Sequence, residues 1–309
     1  ESGDYDNDGD MDFFVGGRHT PWEYPETPNS YLLENQEGKF IDVTEEVIPE
    51  LKNIGMVTSA VWVDLNKDAH PELIVAGEWM PIRCFDNSGG SFKENSKALG
   101  LSNSEGWWNC IEAADLDGDG DQDIIAGNLG LNYKYQASST EPFQLYSTDF
   151  DENGQRDIVL AAFNKGNLFP VRGRQCSSEQ IPDIKEKFDS YDAFGKSTLI
   201  EIYGDSLQTS DHFIVNTFAS VMLKNEGNQF VLNQLPPEAQ FAPVNGIIIE
   251  DFNRDNKPDV LLAGNLFVSE VETGRADAGK GLLLIGDDDG QYEAIPSINS
   301  GFWADQDVK

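Results

Sequence analysis

Five stretches of this chain carry an oxygen-bearing side chain at positions 1, 3 and 5 and a fixed acid at position 9, followed directly by an apolar run. They begin at Asp4 (DYDNDGDMD), Asp64 (DLNKDAHPE), Asp115 (DLDGDGDQD), Asp149 (DFDENGQRD) and Asp251 (DFNRDNKPD). Alternate positions of the first loop are Asp4, Asp6, Asp8, Asp10 and Asp12; those of the second are Asp64, Asn66, Asp68, His70 and Glu72. The third has Asp115, Asp117, Asp119, Asp121 and Asp123, and the fourth Asp149, Asp151, Asn153, Gln155 and Asp157. The fifth has Asp251, Asn253, Asp255, Lys257 and Asp259. Side chains at 1, 3, 5 and 9, with the backbone carbonyl of position 7 (residues 10, 70, 121, 155 and 257), supply the hard oxygen ligands that Ca2+ takes at about 2.3–2.6 Å. Up to five calcium sites are expected.

Asp, Asn and Gly are also the usual turn residues, so one such loop would read equally well as a solvated acidic turn. Five in one register do not, because turn chemistry leaves position 9 free. An EF-hand needs a Glu at position 12, where Val15, Val75, Ala126, Leu160 and Leu262 stand. Those residues belong to short β-branched runs that read as buried strands, and equally strand-like runs precede four of the loops. Each loop is therefore expected to join two strands of a hairpin. Asn66, Asn153 and Asn253 lower the ligand charge, so the first and third loops should bind most tightly.

A second element recurs: an apolar strand, a Gly-bearing turn and an aromatic that opens another strand. Its copies are YLLENQEGKF (31–40), IRCFDNSGGSF (82–92), VMLKNEGNQF (221–230) and LLLIGDDDGQY (282–292). Loop hairpin plus outer hairpin makes a four-stranded antiparallel blade, the unit of a β-propeller. The expected fold is all-β, a single propeller domain over 1–309 with about five blades. Units fall at 1–54, 55–104, 105–140, 141–240 and 241–309. The third looks short in its outer half, and the fourth is stretched by an insertion at 173–204. There, Ser178 as cap and Ile181, Ile184 and Phe188 suit one short amphipathic helix. The opening at Glu1 leaves no room for a strand before the first loop, and the chain stops as another unit begins; truncation at both ends is expected.

Composition narrows the partners. The net charge of −34 opposes binding to nucleic acid or an anionic membrane, and even five divalent cations would leave about −24. No run is long enough to span a bilayer as a helix, so no direct membrane insertion is expected. Cys84, Cys110 and Cys176 form no CxxC pair, and Cys84 and Cys110 read as small buried hydrophobes.

The DxDxDGxxD loop followed by an apolar strand resembles the FG-GAP or VCBS repeat of integrin α-subunit propellers and bacterial surface proteins. More narrowly, FPVRGRQCSSEQIPDIKEKF, AQFAPVNGIIIEDFNRD and EVETGRADAGKGLLLIG resemble the UnbV/ASPIC and cartilage-acidic-protein group of Bacteroidota-type proteins. That resemblance implies a secreted or outer-membrane-associated propeller, commonly seven-bladed, without enzymatic chemistry.

Other constellations are weaker. Gly204-Asp205-Ser206-Leu207 spells the GDSL hydrolase motif, but such enzymes need a His preceded at three residues by an acid, whereas Asp211 and His212 are adjacent. Arg172, Arg174, Lys185 and Lys187 form a basic cluster that could face uronates or serve internal salt bridges. Trp22, Trp79, Trp107 and Trp108 flank loops and would favour sugar binding if exposed, packing if buried. The expected protein is thus a calcium-stabilised scaffold at the cell surface, non-catalytic, with a protein or glycan partner. The alternative is a polysaccharide-binding or polysaccharide-cleaving propeller.

Overall fold

The computed structural model describes residues 1–227, 229–269, 273–287 and 290–308. Asn228, Asp288 and Asp289, in the turns of two expected outer hairpins, lie outside the described residues, as do Glu270, Val271 and Glu272 of the EVETGRADAGKGLLLIG motif. The fold is all-β with short helices. In chain order the strands are β1 (Ser2–Gly3), β2 (Asp12–Val15), β3 (Tyr31–Gln36), β4 (Lys39–Asp42), β5 (Met56–Val63), β6 (Glu72–Met80), β7 (Arg83–Asn87), β8 (Phe92–Glu94), β9 (Gly106–Trp107), β10 (Cys110–Ala114) and β11 (Asp123–Gly127). They continue as β12 (Phe143–Thr148), β13 (Asp157–Asn164), β14 (Asn167–Pro170), β15 (Asp211–Val215), β16 (Val221–Asn225), β17 (Phe230–Gln234), β18 (Gly246–Glu250), β19 (Asp259–Ala263), β20 (Leu282–Gly286) and β21 (Tyr292–Pro296).

These make antiparallel sheets, numbered here by the loop each carries. Sheet 1 is β1-β2-β3-β4, sheet 2 is β5-β6-β7-β8 with β9 also on β6, and sheet 3 is β10-β11-β16-β17. Sheet 4 is β14-β13-β12-β15 and sheet 5 is β18-β19-β20-β21. All five loops connect the two strands of a hairpin, and each second strand starts at the position-9 acid.

The chain divides into two compact units where the sequence suggests one domain: residues 1–20, 27–134 and 218–309 form the first, and 21–26 with 135–217 the second. The first holds sheets 1, 2, 3 and 5. Its sheets pack face to face in chain order because their second strands are apolar on both faces. Leu73 and Val75 of β6 join Phe14 and Leu32 of sheet 1, while Ile74 and Ala76 join Ile124, Ala126 and Leu223 of sheet 3. One residue further along β11, Ile125 joins Val260, Leu262 and Leu284 of sheet 5. Alternation with period two therefore feeds two cores from one strand.

Three expectations need correction. The third sheet is not short: its outer hairpin is β16–β17, with Ile124, Ile125 and Ala126 opposite Leu223, Met222 and Val221. The boundaries 105–140 and 141–240 therefore cut one sheet in two, because everything of the second unit from 135 to 217 is inserted between its second and third strands. A strand does precede the first loop, since Ser2 and Gly3 pair with Phe13 and Asp12.

The insertion holds not one helix but four. After a single turn, α1 (Thr44–Val47), earlier in the chain, come α2 (Arg174–Gln180), α3 (Asp183–Lys187), α4 (Tyr191–Lys196) and α5 (Leu199–Tyr203). Ser178 lies inside α2 with its hydroxyl on the Gln175 carbonyl, whereas Ser190 caps α4 and Thr198 makes a capping box with Glu201. Ile181, Ile184 and Phe188 are buried as expected, together with Phe194, Leu199 and Ile202, against Val159 and Ala161 of sheet 4. The helices are thus the hydrophobic cover of that sheet.

Candidate metal centres

The five loops share one hydrogen-bond register. The position-1 carboxylate accepts backbone N–H bonds from position 6 throughout: Gly9 to Asp4 at 3.1 Å, Ala69 to Asp64 at 3.0 Å, Gly120 to Asp115 at 3.0 Å, Gly154 to Asp149 at 2.7 Å and Asn256 to Asp251 at 2.9 Å. Position 3 accepts from the N–H of position 5, onto Asp6, Asn66, Asp117, Asp151 and Asn253. Position 5 accepts from position 7, so Asp10, His70, Asp121, Gln155 and Lys257 donate to Asp8, Asp68, Asp119, Asn153 and Asp255. These bonds fold the side chains of positions 1, 3 and 5 over the same turn.

Such a turn needs left-handed backbone at positions 4 and 6. Asn7 and Gly9, Lys67 and Ala69, Gly118 and Gly120, Glu152 and Gly154, and Arg254 and Asn256 all have φ between 57° and 97°. Only the third loop has Gly at both. An alanine there is strained by its Cβ, by about 1–2 kcal/mol. We therefore expect Ala69→Gly, with φ of 70° at present, to raise stability by about 0.5–1 kcal/mol after the added chain entropy of Gly. Urea denaturation measures it; a loss of stability would contradict the strain argument.

Position 9 behaves differently. Asp12, Glu72, Asp123, Asp157 and Asp259 are all buried, at 0–3% exposure, although the loops around them are exposed. One carboxylate oxygen accepts the N–H of position 2: Tyr5, Leu65, Leu116, Phe150 and Phe252, at 2.7 to 3.3 Å. In the first unit a second N–H comes from the end of the third strand, from Asn35, Asn87, Asn225 and Gly286. The buried acid thus latches the inner hairpin to the outer one. Burial pushes the carboxyls of Asp12, Glu72 and Asp157 up from their ordinary range, and that of Asp123 up to about 6. A nearby divalent cation would reverse that penalty.

The donor sets fit such a cation. One oxygen from each of Asp4, Asp6 and Asp8 lies within 4.8 Å of the others, and the same holds for Asp115, Asp117 and Asp123 and for Asp149, Asp151 and Asp157. That separation matches ligands placed at about 2.3–2.6 Å around one ion. Oδ1 of Asp10 is also buried without a hydrogen-bond partner. In the second and fifth loops the carboxamides of Asn66 and Asn253 stand at position 3, and their Nδ2 atoms donate to Glu72 and Asp255. Those two loops, like the fourth with Asn153 at position 5, bring three side-chain carboxylates where the first and third bring four.

Neighbouring loops of the first unit touch. Asn7 donates to the Ala69 carbonyl at 2.9 Å and lies 2.7 Å from His70 Nδ1; Lys67 pairs with Asp121 at 2.8 Å. Lys224 of β16 pairs with Asp117 at 2.7 Å. Sequence reasoning missed these cationic neighbours and the strand-end residues that bind position 9. The recurrent Asn closing YLLEN, RCFDN and VMLKN was the available signal.

The remaining constellations are mostly packing. Trp108 is fully buried, and Trp79 is buried with its ring 5.4 Å from that of half-buried Trp107, whereas Trp22 is fully exposed. Arg174 donates to the carbonyls of Phe188 and Lys185, and Lys187 to that of Ile202, so half of the basic cluster ties helices together. His212 bonds Gln144 at 2.9 Å and stacks on Tyr146. Cys84, Cys110 and Cys176 are in no disulfide; Cys84 is buried and Cys110 half-buried, with burial pushing the latter up to about 12.

Repeated loop hairpins closed by a buried acid define an all-β, acidic-loop repeat protein. Residues 4–75 and 64–126 match the family model described as an FG-GAP-like repeat, each match starting at position 1 of a loop. No curated protein matches the chain. Among solved structures it is similar to the crystal structure of the V. cholerae biofilm matrix protein Bap1, with 14% identity and a TM-score of 0.34 over 95% of this chain. The chain spans 38% of that structure's length. No helix is long and apolar enough to cross a membrane, among the described residues.

Proposed function

We propose that this chain is a calcium-stabilised extracellular scaffold in which sheets 1, 2, 3 and 5 are consecutive blades of a β-propeller, and that it binds a protein partner at the cell envelope without catalysing a reaction. The observation that carries this reading is the common hydrogen-bond register of the five loops, which gathers carboxylates that repel one another unless a cation joins them. Face-to-face packing of the four sheets in chain order supports the propeller, and the finer resemblance to the UnbV/ASPIC group agrees with a surface location. Catalysis finds little support: the regularly spaced acids are engaged by backbone N–H groups, and His212 is held by Gln144.

Elemental analysis after dialysis tests the metal. At least three calcium ions per chain are expected to be retained, one for each convergent acid group, against excess Mg2+, which demands a tighter octahedral shell. Retention of none would remove the calcium reading.

One observation favours a glycan as the ligand. A groove of about 600 Å³ in the second unit is lined by Tyr146, Leu168, Thr198, Gln208 and His212 among others, and no lining side chain is charged. A groove of hydroxyl, carboxamide and aliphatic groups suits a neutral sugar better than a uronate. Glycan screening with assay of new reducing ends separates binding from cleavage; binding without new ends is expected for this reading.

A further inference from the structure

The fourth loop lacks the partner that closes the others. In sheets 1, 2, 3 and 5 the second N–H on the position-9 acid comes from the third strand. In sheet 4 the third strand, β14, pairs only with Ala161 to Asn164, at the far end of β13. Among the described residues, the part of β13 beside the loop has no strand on that side. The last turn of α2 stands there instead. Gln180 Nε2 donates to the Ile158 carbonyl at 3.3 Å, where a neighbouring strand would place its own N–H, and this brings its amide beside Asp157, where it favours the ionised carboxylate. Tyr203 of α5 packs on Phe150, ring centroids 5.2 Å apart, and Phe150 is the residue whose N–H donates to Asp157 at 2.9 Å.

We propose that Gln180 is a surrogate strand: it positions Asp157 for the cation of the fourth loop, and the bound cation in turn holds the end of α2 against β13. The inference rests on the calcium reading above. The influence must be reciprocal, because whatever binding energy the helix lends to the site, the site lends to the helix. It is also local. Ile184, Phe194 and Leu199 are buried in the core of sheet 4, and burial of about 1.5–3 kcal/mol per large side chain keeps those helices docked with or without metal. Residues 174–181 carry fewer buried groups, and Gln180 reaches the start of β13 where the loop ends.

Hydrogen exchange of the full chain, read by mass spectrometry across a calcium titration, tests the proposal with Gln180→Met, which keeps side-chain length and helix propensity while removing the amide. In the unmodified chain, peptides covering 147–160 and 174–181 should gain protection with one shared midpoint. In the variant, the midpoint for 147–160 should rise roughly tenfold, the size expected for one hydrogen bond to a charged group, while 64–72 and 115–123 keep theirs. An unchanged midpoint with 174–181 indifferent to calcium overturns the inference and leaves the calcium reading standing. A shift of all loops together overturns it too, as a loss of general stability. If no loop responds to calcium in the unmodified chain, the calcium reading itself fails.

Discussion

Removing calcium is expected to lower the melting temperature of the first unit by about 10–20 °C. A site held at a hundredfold excess over its dissociation constant contributes about 2.7 kcal/mol, and two loops of this unit, the first and third, have convergent acid groups. Roughly 5 kcal/mol, at about 2–4 °C per kcal/mol for a unit of this size, gives that range. The cause lies in the metal-free loops, where unscreened carboxylates face one another and burial penalises the ionised position-9 acid. Calorimetry in calcium and in chelator, with metal content verified, measures the difference. An unchanged melt in a sample shown to be metal-free would sink the structural role of calcium.

Replacing Asp123 by Ala is expected to be among the most damaging single changes in the loops, and Asp119→Ala separates its two causes. Asp123 is buried and accepts N–H bonds from Leu116 at 3.1 Å and Asn225 at 2.7 Å. Its loss leaves two buried donors unmet, at about 1–3 kcal/mol each. Part is offset because the buried carboxyl, pushed up to about 6, no longer has to ionise, so a net cost of up to about 3 kcal/mol is expected at neutral pH. Asp119 is exposed and accepts the N–H of Asp121 at 2.8 Å. Asp119→Ala should therefore cost below about 1 kcal/mol in chelator and far more in calcium, whereas Asp123→Ala should cost in both. Denaturant melts of both variants in both buffers decide the matter; equal behaviour would mean that position 9 is only a metal ligand.

The loops were legible because their information is local. A nine-residue turn is specified by the side chains within it, and the hairpin around it by the alternation of its two flanking strands. Reading Asp12, Glu72, Asp123, Asp157 and Asp259 as expected ligands left out the contacts that bury them, which come from up to 102 residues away, as between Asp123 and Asn225. The helical insertion was recognised as an insertion, but its four helices were merged into one. Each is only five to seven residues long, too short for periodicity to separate and stable only through the sheet it covers.

What the sequence alone determined is the set of parts: five acidic loops, the inner hairpins they close and four outer hairpins. Which outer hairpin completes which sheet was decided by tertiary structure. VMLKNEGNQF follows the fourth loop in sequence yet closes the third sheet, because Val221, Met222 and Leu223 find apolar neighbours beside Ile124 and Ile125 while α2 to α5 cover sheet 4. Outer hairpins of nearly equal pattern carry no label for their partner. The choice is made by burial and by the strand-end N–H that meets the position-9 acid, and both exist only once residues 218–234 have returned to the first unit.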